Sequence, residues 1–205
     1  MLGILPETFF AFAIASILIE LTPGPNMAYL AVLAATEGRR HGFAAVAGVA
    51  LGLLIVGLFA AFGLAALISS SPVLFGILRW GGVAYLLWLA VEAWLPEGAE
   101  ENEFAASDAR YFRRGLVVNL LNPKAGVFYI AMVPGFVNLE GPILAQTLFL
   151  SVLFVIIATA IHASIVALAG AAQPFLSNPQ HRQTVRRIMA FALVGIAIWF
   201  AWSTR

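Results

Sequence analysis

The sequence predicts an all-α integral membrane protein of six transmembrane helices, arranged as two inverted three-helix repeats. Three observations carry this. The 205 residues are 62% hydrophobic and only 10% charged, against about 45–50% and 25% in soluble domains. The apolar residues fall in runs long enough to cross a bilayer core, which takes about 20 residues per helix. The basic residues cluster in alternate connections between those runs. A soluble chain of this length could not bury so much apolar surface. A net charge of +1 gives no general attraction to nucleic acid. Without cysteine there are no disulfides, thiolate metal cages or thiol chemistry.

The first run, Gly3 to Ala35, would measure about 50 Å as one straight helix. It must tilt, break or re-enter, and Thr22-Pro23-Gly24-Pro25 is the expected break. No Lys or Arg precedes Arg39, so this run is read as part of the mature fold and not as a signal peptide. The second run, Phe43–Ile68, has no polar residue, and the third, Pro72–Val91, is interrupted only by Arg79. The fourth, Gly115–Val137, carries Asn119, Asn122 and Lys124, with a second expected break at Asn122-Pro123. The fifth lies within Gly141–Gln180, which has no charged residue. The sixth, Ile188–Trp202, is short, with Arg187 free to snorkel and Trp199 and Trp202 suited to the interface.

Eight of the 11 basic residues (Arg39, Arg40, Arg110, Arg113, Arg114, Arg182, Arg186 and Arg187) lie in the first, third and fifth connections. The positive-inside rule makes these connections cytoplasmic and leaves both termini outside. The chain reads as one membrane domain, 1–205. Residues 1–95 form the first three-helix repeat, 96–111 an acidic cytoplasmic linker, and 112–205 the second repeat. Because each repeat has an odd number of helices, the second enters from the opposite side.

Paired breaks suit a zwitterion. Proline removes a backbone donor. The half-helix N-termini then attract a carboxylate and the C-terminal carbonyls an ammonium. Thr22, Pro23, Gly24, Pro25 and Asn26 on one side, and Asn119, Asn122, Pro123 and Lys124 on the other, are the candidate substrate residues. Asn119 and Asn122 are expected to share one helical face. Lys124 is expected about 14 Å into the core, as a substrate ligand, a proton carrier or the ion-pair partner of Glu20. Glu20 and His162 are further proton-coupling candidates; a structural ion pair or an interhelical hydrogen bond accounts for them equally well. Gly48 and Gly52 form a GxxxG pattern that permits close packing, in a dimer among other arrangements. No cofactor and no metal site is expected. The sole Asp is Asp108, and no zinc motif or serine–base constellation suggests an enzyme.

These motifs resemble a known family. Thr22-Pro23-Gly24-Pro25-Asn26 resembles its first-helix signature. Arg113-Arg114-Gly115-Leu116-Val117-Val118-Asn119-Leu120-Leu121-Asn122-Pro123-Lys124 resembles its fourth, and Leu78-Arg79-Trp80 with Ala84-Tyr85-Leu86 its third helix. The family is the lysine exporter (LysE/RhtB-type) family of amino-acid export transporters. The resemblance covers essentially the whole chain. It implies a six-helix bacterial inner-membrane exporter of amino acids or related small metabolites, driven by proton antiport, and a homodimeric assembly. Glu20 and His162 are not part of the signature. The competing readings are a non-catalytic membrane assembly subunit and an exporter of a non-amino-acid solute.

Overall fold

A computed structural model of the chain describes residues 4–22, 24–63, 72–94 and 107–171, and separate positions between 184 and 202. Pro23, most of the acidic stretch, Arg182, Arg186 and much of the sixth run lie outside the described residues, as do the side chains of Arg79 and Pro123. All regular structure among the described residues is helical. In chain order the helices are α1 (Pro6–Leu21), α2 (Pro25–Glu37), α3 (Arg39–Ala61), α4 (Pro72–Trp94), α5 (Asp108–Leu120), α6 (Pro123–Val127) and α7 (Ile143–Ala169). Between α6 and α7, Phe128–Met132 winds as a π-helix and Val133–Phe136 as a 3-10 turn.

Each boundary has a local cause. Pro6, Pro25 and Pro123 stand in the first turns of α1, α2 and α6, where a missing N–H costs nothing. The chain breaks between Leu21 and Pro25, and α1 and α2 meet at 60°. It breaks again after Leu120, where Asn122 caps α6 by accepting from the Lys124 backbone N–H at 3.0 Å. The turn from α2 to α3 rests on Gly38, whose φ of 91° is open to glycine. Helix α5 starts at Asp108 and so absorbs the last residues of the stretch read as a linker. Arg40 of α3 reaches Asp108 in its first turn, and Tyr111 is buried.

Helices α3 and α7 are each long and apolar enough to cross a membrane, and α1 with α2 passes the same test as a bent pair. Their faces are inverted relative to a soluble protein. On α1, Phe10, Ile14, Ile17 and Leu18 are exposed, whereas Phe12, Ser16 and Glu20 repeat every four residues on the buried side. On α7, Leu150, Phe154, Ala158, His162 and Val166 form the matching buried stripe.

The tightest seam joins α3 to α5. A side chain at Gly48 would collide with the Phe112 carbonyl, and one at Gly115 with the Ala45 carbonyl. Gly52 accommodates Asn119, whose Nδ2 lies 2.7 Å from where a Cβ would stand. The GxxxG pair is thus consumed inside the chain and is not free to form a dimer contact. At one end of the bundle Arg39 Nε donates to the Ala167 carbonyl near the end of α7, and Arg40 binds Asp108 at 2.9 Å. The Arg40 side chain is 84% exposed, so Arg40→Ala should cost less than about 1 kcal/mol. Thermal unfolding in detergent checks this; a loss of several degrees or more would make the pair a structural tie.

Candidate functional site

The two breaks face each other. Glu20, Gly24, Asn26, Met27, Leu53, Asn122, Lys124, Ala125 and His162 line one crevice of about 250 Å³, its open mouth included. It draws on the end of α1, the start of α2, the middle of α3, the start of α6 and the stripe of α7. In this conformation it is narrow, with room for water and not for an amino acid.

The charged groups pair in a way the sequence does not suggest. Glu20 and His162 are both buried, at 6% and 1% exposure. Glu20 Oε2 and His162 Nε2 lie 3.2 Å apart. The contact is within ion-pair range but is not aligned as a hydrogen bond, and neither ring nitrogen has an aligned partner. Lys124 turns elsewhere: its Nζ donates to the Thr22 carbonyl at 2.8 Å. That carbonyl closes α1, at the C-terminal and partially negative end of the helix. Of the alternatives the sequence left open, a Glu20–Lys124 pair is not formed; the two groups make separate contacts, one from α1 to α7 and one from α6 to the first break.

The asparagines divide as well. Asn26 Nδ2 donates to Asn119 Oδ1 at 2.8 Å, buried between α2 and α5. Asn26 Oδ1 and Asn119 Nδ2 are left without partners. Asn122 caps α6 and lines the crevice. The chain break intervenes between Asn119 and Asn122, so they do not share one helical face: Asn119 sits behind the crevice, and Asn122 in its wall. Thr22 is exposed beside the break, with its hydroxyl on the Leu18 carbonyl.

Sequence reasoning missed the apolar lining of Met27, Leu53 and Ala125, which carry no chemical signature. It also missed the aromatic cluster beyond them. Phe128 stacks on Phe154 at 3.8 Å, and Phe12 and Tyr129 pack against them. The Tyr129 hydroxyl donates to the Leu53 carbonyl at 3.0 Å, and a Cβ at Gly57 would stand 2.9 Å from that hydroxyl. The π-turn is the available clue: such turns often mark functional segments. No group of three metal-ligating side chains occurs among the described residues.

Residues 17–204, nearly the whole chain, match the family described as LysE type translocator. The chain belongs to this family. The LysE-type chain is also similar to two bacterial proteins named homoserine/homoserine lactone efflux protein, from Salmonella typhi and Salmonella typhimurium. Each is 33% identical over 194 residues, covering 92% of this chain and 94% of the relative. An uncharacterized membrane protein of Vibrio cholerae is 26% identical over 198 residues, covering 95% and 97%. No solved structure matches the chain. As a LysE-type translocator it is a multi-pass inner-membrane secondary transporter that exports small amino-acid-like solutes, and it is not an enzyme.

Proposed function

We propose that this translocator exports homoserine-like, short and uncharged amino acids by proton-coupled alternating access through the crevice between its two breaks. The observation that carries the reading is the crevice lining. One wall offers the α1 C-terminal carbonyl and the Glu20 carboxylate to an ammonium. The other offers the N-terminus of α2 to a carboxylate. Met27, Leu53 and Ala125 supply the small apolar part of the lining, which suits a short side chain. The two curated efflux relatives act on homoserine and its lactone by name, which agrees with a small side chain. The substrate set is Thr22, Pro23, Gly24, Pro25, Asn26, Asn119, Asn122, Pro123 and Lys124. Asn119 serves it indirectly, by holding Asn26, and Lys124 by occupying the Thr22 carbonyl while the crevice is empty.

Six membrane segments in two inverted repeats are part of this reading. The element order supports it. A bent pair (α1, α2) and two long helices (α3, α4) are followed by a second broken run (α5 to Phe136), a long helix (α7) and helical positions between 184 and 202. The shared end of Arg39, Arg40, Asp108 and Ala167 supports placing the basic connections together on the cytoplasmic side, with both termini outside. Repeats over 1–95 and 112–205 joined by a cytoplasmic linker follow from that arrangement. The reading includes a homodimer, through a surface other than Gly48 and Gly52.

Proton coupling is assigned to Glu20, His162 and Lys124, the titratable groups of the crevice. The test is efflux from proteoliposomes loaded with mixed amino acids, with and without an imposed pH gradient, read by mass spectrometry. Homoserine should leave in a gradient-dependent way. Lys124→Ala and Asn122→Ala should abolish net efflux while both variants insert and fold. Wild-type protein that is folded and moves no amino acid would turn the reading to another solute or to an assembly role.

A further inference from the structure

We propose that Lys124 is a tethered stand-in for the substrate's ammonium: it fills the ammonium position of the empty carrier and is displaced when substrate binds. The inference rests on the export reading and adds to it how the unloaded protein closes.

The argument starts from what the first break leaves open. In an unbroken helix the Leu21 carbonyl would accept from residue 25, but Pro25 has no N–H. Thr22 stands at the C-cap of α1 in an extended conformation, so its carbonyl lies past the last helical turn. Such a carbonyl end favours a cation. Glu20, 6% exposed, lies two residues away in the same crevice. A primary ammonium is the group this place fits, and a primary ammonium is what occupies it: Lys124 Nζ, 2.8 Å from the Thr22 oxygen. The lysine arm reaches it along Gly24, where a Cβ would stand 3.4 Å from Lys124 Cδ. Lysine and an α-amino acid present the same –NH₃⁺ group, and two ammonium groups crowded onto one carbonyl repel each other. Substrate binding through this position therefore expels Lys124 from it.

The consequence is a carrier whose crevice holds a cation at this position in either condition. Loaded, the cation is the substrate's; empty, it is the protein's own. A membrane crevice with a carboxylate and open carbonyls but no cation is costly to seal from water. Lys124 removes that cost for the unloaded protein, so the empty form can return across the membrane. Without it only the loaded form closes readily, and net export becomes exchange.

Lys124 is the sole lysine of the chain, which allows a direct test on wild-type protein. Reconstituted transporter is treated with a small water-soluble amine-acylating reagent, and modification of Lys124 is read by mass spectrometry. The probe is homoserine, or whichever amino acid the efflux experiment identifies. Displacement predicts that the probe raises Lys124 modification. Protection of Lys124 by the probe would overturn the inference, because the lysine would then be gripping the substrate itself; unchanged modification would overturn it as well. In a second experiment, Lys124→Gln should lower net efflux into substrate-free medium by roughly tenfold or more, yet still exchange labelled for unlabelled probe across the membrane. Retained net efflux would also overturn it. Wild-type protein that neither exports nor exchanges any amino acid marks a different failure, that of the export reading beneath it.

Discussion

Adding one methyl group at Gly48 or Gly115 abolishes the folded transporter. The expected loss for Gly48→Ala or Gly115→Ala is about 3 kcal/mol or more, the upper range of overpacking in a filled core. Flexible side chains can move aside, but here the collision is with main chain: the Phe112 carbonyl in one case and the Ala45 carbonyl in the other. Relief requires α3 and α5 to separate. That would pull Gly52 from Asn119, and through it disturb the bond from Asn119 to Asn26. Gly195→Ala adds the same methyl where nothing lies within 4 Å, and should leave stability equal or higher by up to about 1 kcal/mol. Thermal unfolding and size-exclusion profiles in detergent compare the three. Wild-type stability in both Gly48→Ala and Gly115→Ala would mean that α3 and α5 do not meet through these glycines.

The second large effect concerns coupling. Glu20→Gln keeps the shape of the side chain and removes its charge and proton. Under a proton-motive force of about 100 mV, moving one charge is worth about 2.3 kcal/mol, or roughly a 50-fold bias in substrate distribution. Wild-type proteoliposomes should approach that bias for each proton exchanged, and Glu20→Gln should show nearly none. The same variant removes the carboxylate 3.2 Å from His162, so its thermal stability is measured alongside to separate loss of coupling from loss of fold. Full gradient dependence in a folded Glu20→Gln protein would take the proton away from Glu20. The burden would then fall on His162 and on Lys124, whose ammonium donates to the Thr22 carbonyl.

Much of this molecule is local chemistry and was legible as such. Run lengths and the scarcity of charge identify membrane helices, because hydrocarbon excludes an unpaired backbone wherever the chain is not helical. Pro25 and Pro123 stand at helix starts for a reason contained in the residue itself. The motif residues Gly24, Asn26, Asn122 and Lys124 do meet at one crevice, although the sequence offers no distance between positions some 100 residues apart. The family signature reaches the same residues by resemblance.

Pairing across the bundle was not legible, and the reason is specific. Helices α3 and α7 are apolar on nearly every side, so neither pattern says which face turns inward. Gly48 reads equally well as a contact between copies or within one; only the approach of Phe112 decides it. Glu20 finds His162 and not Lys124 because the stripe of Phe12, Ser16 and Glu20 on α1 meets the stripe of Phe154, Ala158 and His162 on α7. Asn119 and Asn122 part company because a break falls between them. By itself the sequence determined that the chain lives in a membrane and where proline breaks its first and fourth runs. Tertiary structure alone decided which residues touch, because in a uniformly apolar helix the rotational setting is chosen by the packing of neighbours and not by a difference between its faces.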